Sequence, residues 1–163
     1  MEEKRTNKKT ILFVCTGNTC RSAMARALAR RTLEKLFPER RDIEVESAGM
    51  AALPGEGASP GAVAALLDKG ISLDGHRSAL LTLRQVEKAS VVLAMTGGHR
   101  NMLLRIASSE AEKVYTLAEY AGAGGDIPDP IGQSDDAYRR VAARLEELVR
   151  AALVRFLRQN GLE

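Results

Sequence analysis

Ile11-Leu12-Phe13-Val14-Cys15-Thr16-Gly17-Asn18-Thr19-Cys20-Arg21-Ser22-Ala23 is the stretch that decides how this chain is read. Its first four residues form an unbroken apolar run of strand formers, the pattern of a strand covered on both faces. A short polar loop follows, and Ala23 to Leu36 is rich in Ala, Leu and Arg, so a helix is predicted there, with Pro38 helping to end it. A strand that passes through a loop into a helix brings the loop to the carboxyl end of the strand, where the helix N-terminus opens.

Working outward, Ile43-Glu44-Val45-Glu46 alternates as a strand does. Pro54 to Ser59 reads as a loop. Ser59-Pro60 opens a helix that Gly70 closes, and Thr82 with Gln85 forms a capping box for a short one. Val91 to Met95 is a second buried run, His99 to Ala107 is helical in pattern, and Lys113 to Leu117 supplies a fourth strand. After the glycine-rich stretch Gly122 to Gly132, a last helix starts at Ser134, with Tyr138, Val141, Leu145, Leu148, Ala152 and Phe156 on one face. Strands alternating with helices predict an α/β fold with a parallel sheet flanked by helices on both faces. At 163 residues the chain is one domain, here 10–160, behind a polar N-terminal tail, 1–9. Ligands of such sheets bind at the carboxyl ends of the strands, which points to the loop after the first one.

That loop sets five residues between Cys15 and Arg21, with Gly17, Asn18 and Ser22 inside or beside it. Successive backbone N–H groups and a helix N-terminus make a nest for an anion. Gly17 is the residue expected to take a backbone conformation that a side chain hinders. Arg21 offers a planar fork of donors to two phosphoryl oxygens, and Ser22 can donate a hydrogen bond to the sulfur. A thiol at the mouth of the nest sits in a positive field that favours thiolate, the nucleophilic form. It can attack phosphorus to give a cysteinyl phosphate. Asp126-Ile127-Pro128-Asp129-Pro130 lies before the last helix, and Asp129 is the candidate general acid for the departing group. Alone, each signal has an ordinary explanation, a packed Cys or an Asp-Pro turn. Their combination predicts phosphoryl transfer.

Composition narrows the partners. Twenty-four basic against 21 acidic residues leave a net charge of +3, too mild to indicate nucleic acid, and 4% aromatics with no Trp supply few base-stacking platforms. No apolar run reaches membrane-spanning length, and the charged start lacks the core of a secretory signal. A cytoplasmic protein, monomeric and without membrane contact, is expected. Two cysteines and two histidines at these spacings do not make a zinc site, so neither a metal nor another cofactor is expected.

Cys15 to Ser22, followed by Ser47-Ala48-Gly49, Asp74-Gly75-His76 and Asp129-Pro130, resembles the low-molecular-weight protein tyrosine phosphatase family, in order and over nearly the whole chain. The resemblance implies a four-stranded parallel sheet, Cys15 as nucleophile, Arg21 as phosphoryl ligand and Asp129 as acid. It also implies that residues 16–22 (Thr16, Gly17, Asn18, Thr19, Cys20, Arg21, Ser22) cradle the phosphoryl group of a phosphorylated protein. Asn18, Ser22, Ser47 and His76 match the family's network that holds the loop in shape, and Cys20 matches a second cysteine that pairs with the nucleophile under oxidant. Thr19 makes the loop similar to the arginine phosphatase branch, which puts phosphoarginine ahead of phosphotyrosine. After Asp129-Pro130 the family usually carries an aromatic residue, and Ile131 stands here instead. Thioredoxin-linked arsenate reductases of this type need cysteines downstream of Cys20, and none follows. A phosphoprotein-binding module or Cys-phosphorylated carrier needs no acid for a leaving group.

Overall fold

The computed structural model describes residues 8–162. Four parallel strands, β1 (Lys9–Cys15), β2 (Ile43–Gly49), β3 (Val91–Ala94) and β4 (Val114–Thr116), lie in the order β2-β1-β3-β4. The apolar run of β1 is central. Ile11 sits opposite both Val45 and Val91, and Val14 opposite both Ala48 and Ala94. Side chains alternate across a strand. Ile11, Phe13 and Cys15 therefore join the larger core, with Met24 and Leu28 of α1 (Arg21–Leu36), Leu66 of α2 (Pro60–Leu67) and Leu145 of α6 (Asp135–Gln159). Leu12 and Val14 join the smaller core, with Val86 of α3 (Leu83–Lys88) and Leu103 of α4 (Gly97–Ile106). This alternation sends Cys15 to the face on which α1 begins.

The amphipathic face expected of the last helix is the buried one. Tyr138, Val141, Leu145, Leu148, Ala152 and Phe156 all lie inside, and Ser134 caps the helix by accepting from the Ala137 N–H. The capping box at Thr82 and Gln85 is present. At the edge strand β2, Arg26 of α1 donates through Nε to the Val45 carbonyl at 3.0 Å, and Lys8 pairs with Glu44 at 3.0 Å. Among the described residues no helix is long and apolar enough to cross a membrane.

Several boundaries differ from expectation. β1 starts at Lys9, inside the stretch assigned to the tail, of which residues 1–7 lie outside the described residues. β4 is shorter than Lys113 to Leu117. Lys113 closes a 3₁₀ turn (Ser108–Lys113), and Leu117 opens a one-turn helix, α5 (Leu117–Tyr120), under a capping box of Thr116 and Glu119. The box satisfies N–H groups that a longer strand on this sheet edge would leave without partners.

Gly49 ends β2 opposite Cys15 and binds a second segment on its other side. Its N–H donates to the Ala79 carbonyl and its own carbonyl accepts from Leu81 N–H, each at 2.9 Å. A Cβ here would stand 2.5 Å from the Thr16 carbonyl oxygen and 3.0 Å from the Asn18 nitrogen, both backbone atoms of the loop. Gly49→Ala is therefore expected to destabilise the protein by about 1–3 kcal/mol, the usual cost of overpacking. An unchanged urea midpoint at constant m-value would mean that the loop has slack to give.

Candidate active site

The chain from Cys15 to Ser22 turns back on itself around Asn18, which has φ 57° and is fully buried. Gly17 does not take the unusual conformation expected of it. The left-handed residue is Asn18, a type that tolerates this region because its short amide can bond locally. Here the amide bonds on both sides: Oδ1 accepts from the Ala79 N–H at 2.9 Å and Nδ2 donates to Ser22 Oγ at 2.8 Å. The Asn18 carbonyl accepts from His76 Nε2 at 2.6 Å. Ser22 Oγ is thus an acceptor toward Asn18, and its own proton is left for Cys15 Sγ, 2.9 Å away. An amide, a hydroxyl and a sulfur form one directed chain of donors, ending on the expected nucleophile.

Arg21 is the first residue of α1 and only 5% exposed. Its guanidinium reaches the segment expected to carry the acid. Nη1 donates to the Ile127 carbonyl at 3.1 Å, and Nη2 stands 3.5 Å from Asp129 Oδ2. Asp129 is half exposed, and its other oxygen, Oδ1, accepts from the Ile131 N–H at 3.0 Å. The Asp-Pro turn and the placement of a carboxylate over the loop are therefore one structure. Ile131 itself is exposed. The α1 N-terminus has no side-chain cap and no acidic residue in its first turn. Among the described hydrogen bonds, the backbone N–H groups of Thr16, Gly17, Asn18, Thr19 and Cys20 donate to no protein acceptor. Donors left open in a mostly buried loop are suited to an anion.

The remaining expected residues divide. His76 joins the loop through Asn18. Thr19 is half-buried, its hydroxyl lies toward Gly17, and its carbonyl accepts from the Ser59 N–H at 2.8 Å. Ser47 sits in β2 opposite Phe13, and among the described residues its hydroxyl makes no hydrogen bond to the loop. Cys15 and Cys20 are both free and buried. The Cys20 thiol is pushed up to about 12, by burial first and then by Asp129 and Cys15, so it keeps its proton.

Two residues at this end of the sheet have no role assigned from the sequence. His99 lies between two threonines, with Nε2 2.8 Å from Thr16 Oγ1 and Nδ1 2.9 Å from Thr96 Oγ1. Asp126 accepts from the Gly97 N–H at 2.9 Å through Oδ1, fastening the Asp129 segment to the start of α4. The available signal was position: Thr96 to His99 directly follows β3, the strand beside β1, where the topological switch point lies.

The family model of low molecular weight phosphotyrosine protein phosphatases matches residues 10–161. A protein-arginine-phosphatase of Bacillus subtilis is 45% identical over 86% of this chain and 91% of its own. A probable low molecular weight protein-tyrosine-phosphatase, EpsP, of Ralstonia solanacearum is 36% identical over 88% of this chain and 92% of its own. Among solved structures, the YwlE arginine phosphatase of Geobacillus stearothermophilus matches with a TM-score of 0.83 at 41% identity, covering 94% of this chain and 96% of that one. A YwlE mutant with serine in place of a cysteine, whose active site serine is phosphorylated, matches with a TM-score of 0.85 at 43% identity, covering 94% and 99%.

Burial holds the His76 imidazole below its ordinary 6.5, and burial followed by the Arg21 charge does the same to His99. Between the folded values and 6.5 the unfolded chain binds protons that the folded one refuses. This contribution to stability is therefore complete above about pH 6.5 and lost as the pH falls below it. The denaturation midpoint is expected to drop between pH 7 and pH 5, less steeply in His76→Gln than in the parent. Equal slopes would remove His76 from the account.

Proposed function

The chain belongs to the low molecular weight phosphotyrosine protein phosphatase family, and on that premise we propose that it is a cysteine-dependent protein-arginine phosphatase that works without a metal. One observation carries this reading: Arg21, at the end of the loop that the expected nucleophile opens, faces the expected acid Asp129 from the first turn of α1. In the first step Cys15 thiolate attacks phosphorus, the S–P bond forms, and the bond from phosphorus to the guanidine nitrogen breaks. Asp129 gives that nitrogen its proton. Arg21 and the open N–H groups of residues 16–20 hold the phosphoryl oxygens, whose charge grows in the transition state. In the second step Asp129, now a carboxylate, takes a proton from water as the water attacks phosphorus. The S–P bond breaks, inorganic phosphate leaves, and the Ser22 hydroxyl steadies the returning thiolate.

A phosphorylated active site serine in the matched YwlE mutant supports a covalent step at the nucleophile position. Cys20, holding its proton, is a poor competitor for this role. The choice of phosphoarginine rests on two further supports. Relatives at 45% and 43% identity are named protein-arginine-phosphatases, and the Thr19 hydroxyl borders the cradle, where it suits a polar, positively charged leaving group. Phosphotyrosine is the second reading, favoured by relatives such as EpsP. Against it, the exposed Ile131 gives a phenol ring no aromatic wall.

Phosphate release from phosphoarginine peptides is expected to exceed release from phosphotyrosine peptides, with Cys15→Ser inactive on both and still folded. Asp129→Asn should slow release from phosphoarginine about 10²–10⁴-fold, the range of a lost general acid. A Cys15→Ser variant that still turns over would end the mechanism. A preference for phosphotyrosine would keep the mechanism and reject Thr19 as the selector.

A further inference from the structure

His99 occupies a position for which the reaction above gives it no task. It is 8% exposed, the third residue of α4, and touches neither Cys15 nor Asp129 by any hydrogen bond. Both ring nitrogens are nevertheless engaged. Thr96 Oγ1 accepts from the His99 backbone N–H at 3.2 Å while meeting Nδ1, so the ring is fixed against its own helix terminus. The opposite nitrogen meets the hydroxyl of Thr16, the first residue after the nucleophile and otherwise an exposed side chain.

The same helix terminus holds the other half of the site. Asp126 accepts from Gly97 N–H, and the Ile127 N–H donates to the Met95 carbonyl at 3.0 Å. Met95 in turn donates to the Val14 carbonyl at 3.0 Å, which ties this junction to the end of β1. The turn from β3 into α4 therefore touches the cradle on one side and the acid segment on the other, and among the described residues the hydrogen bond from this turn to the cradle is the one made by the His99 ring. The ring carries little charge to compete with Arg21, since burial and Arg21 itself both hold it toward its neutral form.

We propose that His99 is a positioning residue, which holds Thr16, and through it the entrance of the phosphoryl cradle, in register with the acid segment anchored on the same helix terminus. The proposal rests on the reading of Cys15 to Ser22 as a phosphoryl cradle. A reacting group displaced by about 1 Å loses on the order of 10²-fold in rate, so a loosened cradle reads out mainly in kcat.

The test compares the wild type with His99→Ala, His99→Gln, Thr16→Val and the double variant His99→Ala with Thr16→Val. Three quantities are measured: kcat and KM on phosphoarginine peptide, the Kd for inorganic phosphate by calorimetry, and the thermal midpoint. His99→Ala and Thr16→Val are each expected to lower kcat by about 10- to 100-fold, to weaken phosphate binding, and to change KM less than kcat. The double variant should lose no more than the worse single one, because both remove one contact. His99→Gln, whose amide can still reach a threonine, should recover part of the loss. Additive losses, or a His99→Ala variant with wild-type kcat and phosphate affinity, would overturn the proposal. Losses that follow the thermal midpoint across all variants would overturn it too, in favour of a purely structural histidine. A wild type that binds phosphate but turns nothing over would reject the proposed function instead, and phosphate affinity across the variants would still decide the role of His99.

Discussion

A single left-handed residue bends the loop that everything else serves. Asn18 can hold φ 57° because three contacts fix it from outside, from Ala79, from His76 and from Ser22. Two of the three come from the chain around residues 76–79, which lies against the far side of Gly49. A non-glycine residue in this region carries a cost that only a well-determined surrounding sustains. The buried amide has every polar atom satisfied, so the surrounding favours this one conformation. With the turn fixed, the N–H groups of residues 16–20 stay open and the Ser22 hydroxyl points at the sulfur.

The second element of order is distance in sequence converted to contact. Arg21 belongs to the loop, yet its partners Ile127 and Asp129 lie more than a hundred residues later. The acid segment is free to approach because Gly122, Gly125 and Gly132 take positive φ around it. Ile127, 2% exposed, is the fixed point between them. The segment is thus held by a buried side chain and two hydrogen bonds to the β3–α4 junction, and it offers its carboxylate to solvent and to Arg21 at once.

What could be seen in the sequence was what is contiguous. The run from Ile11 to Ala23 carries its strand, loop and helix start in order, and the amphipathic stripe of α6 repeats often enough to be unmistakable. The family pattern points to Asn18 and His76, but the sequence assigns the unusual backbone conformation to the neighbouring Gly17. Glycine is the usual answer there, and only the buried contacts reveal that asparagine replaces it. His99 and Asp126 stayed hidden for a different reason. Each acts on a partner far along the chain, 83 and 29 residues away respectively, and neither residue type stands out where it lies, His99 in a first helical turn and Asp126 in a loop. Ser47 is the reverse case, a match of pattern whose hydroxyl makes no hydrogen bond to the loop among the described residues. The short helix α5 carried its own capping box in plain view, but the apolar residues beside it suited a strand equally well.

The edges of the sheet limit how a protein substrate can approach. A strand of a partner chain adds to an edge only where main-chain groups are free and flat side chains allow contact. On β2 the Val45 carbonyl is already taken by Arg26, and Glu44 and Glu46 set charge along the same strand. On the other side β4 is only three residues long and turns at once into α5. Neither border offers a template for backbone pairing. A substrate must therefore present its modified side chain end-on to the carboxyl ends of the strands. Selection then falls on the side chain rather than on the extended chain around it.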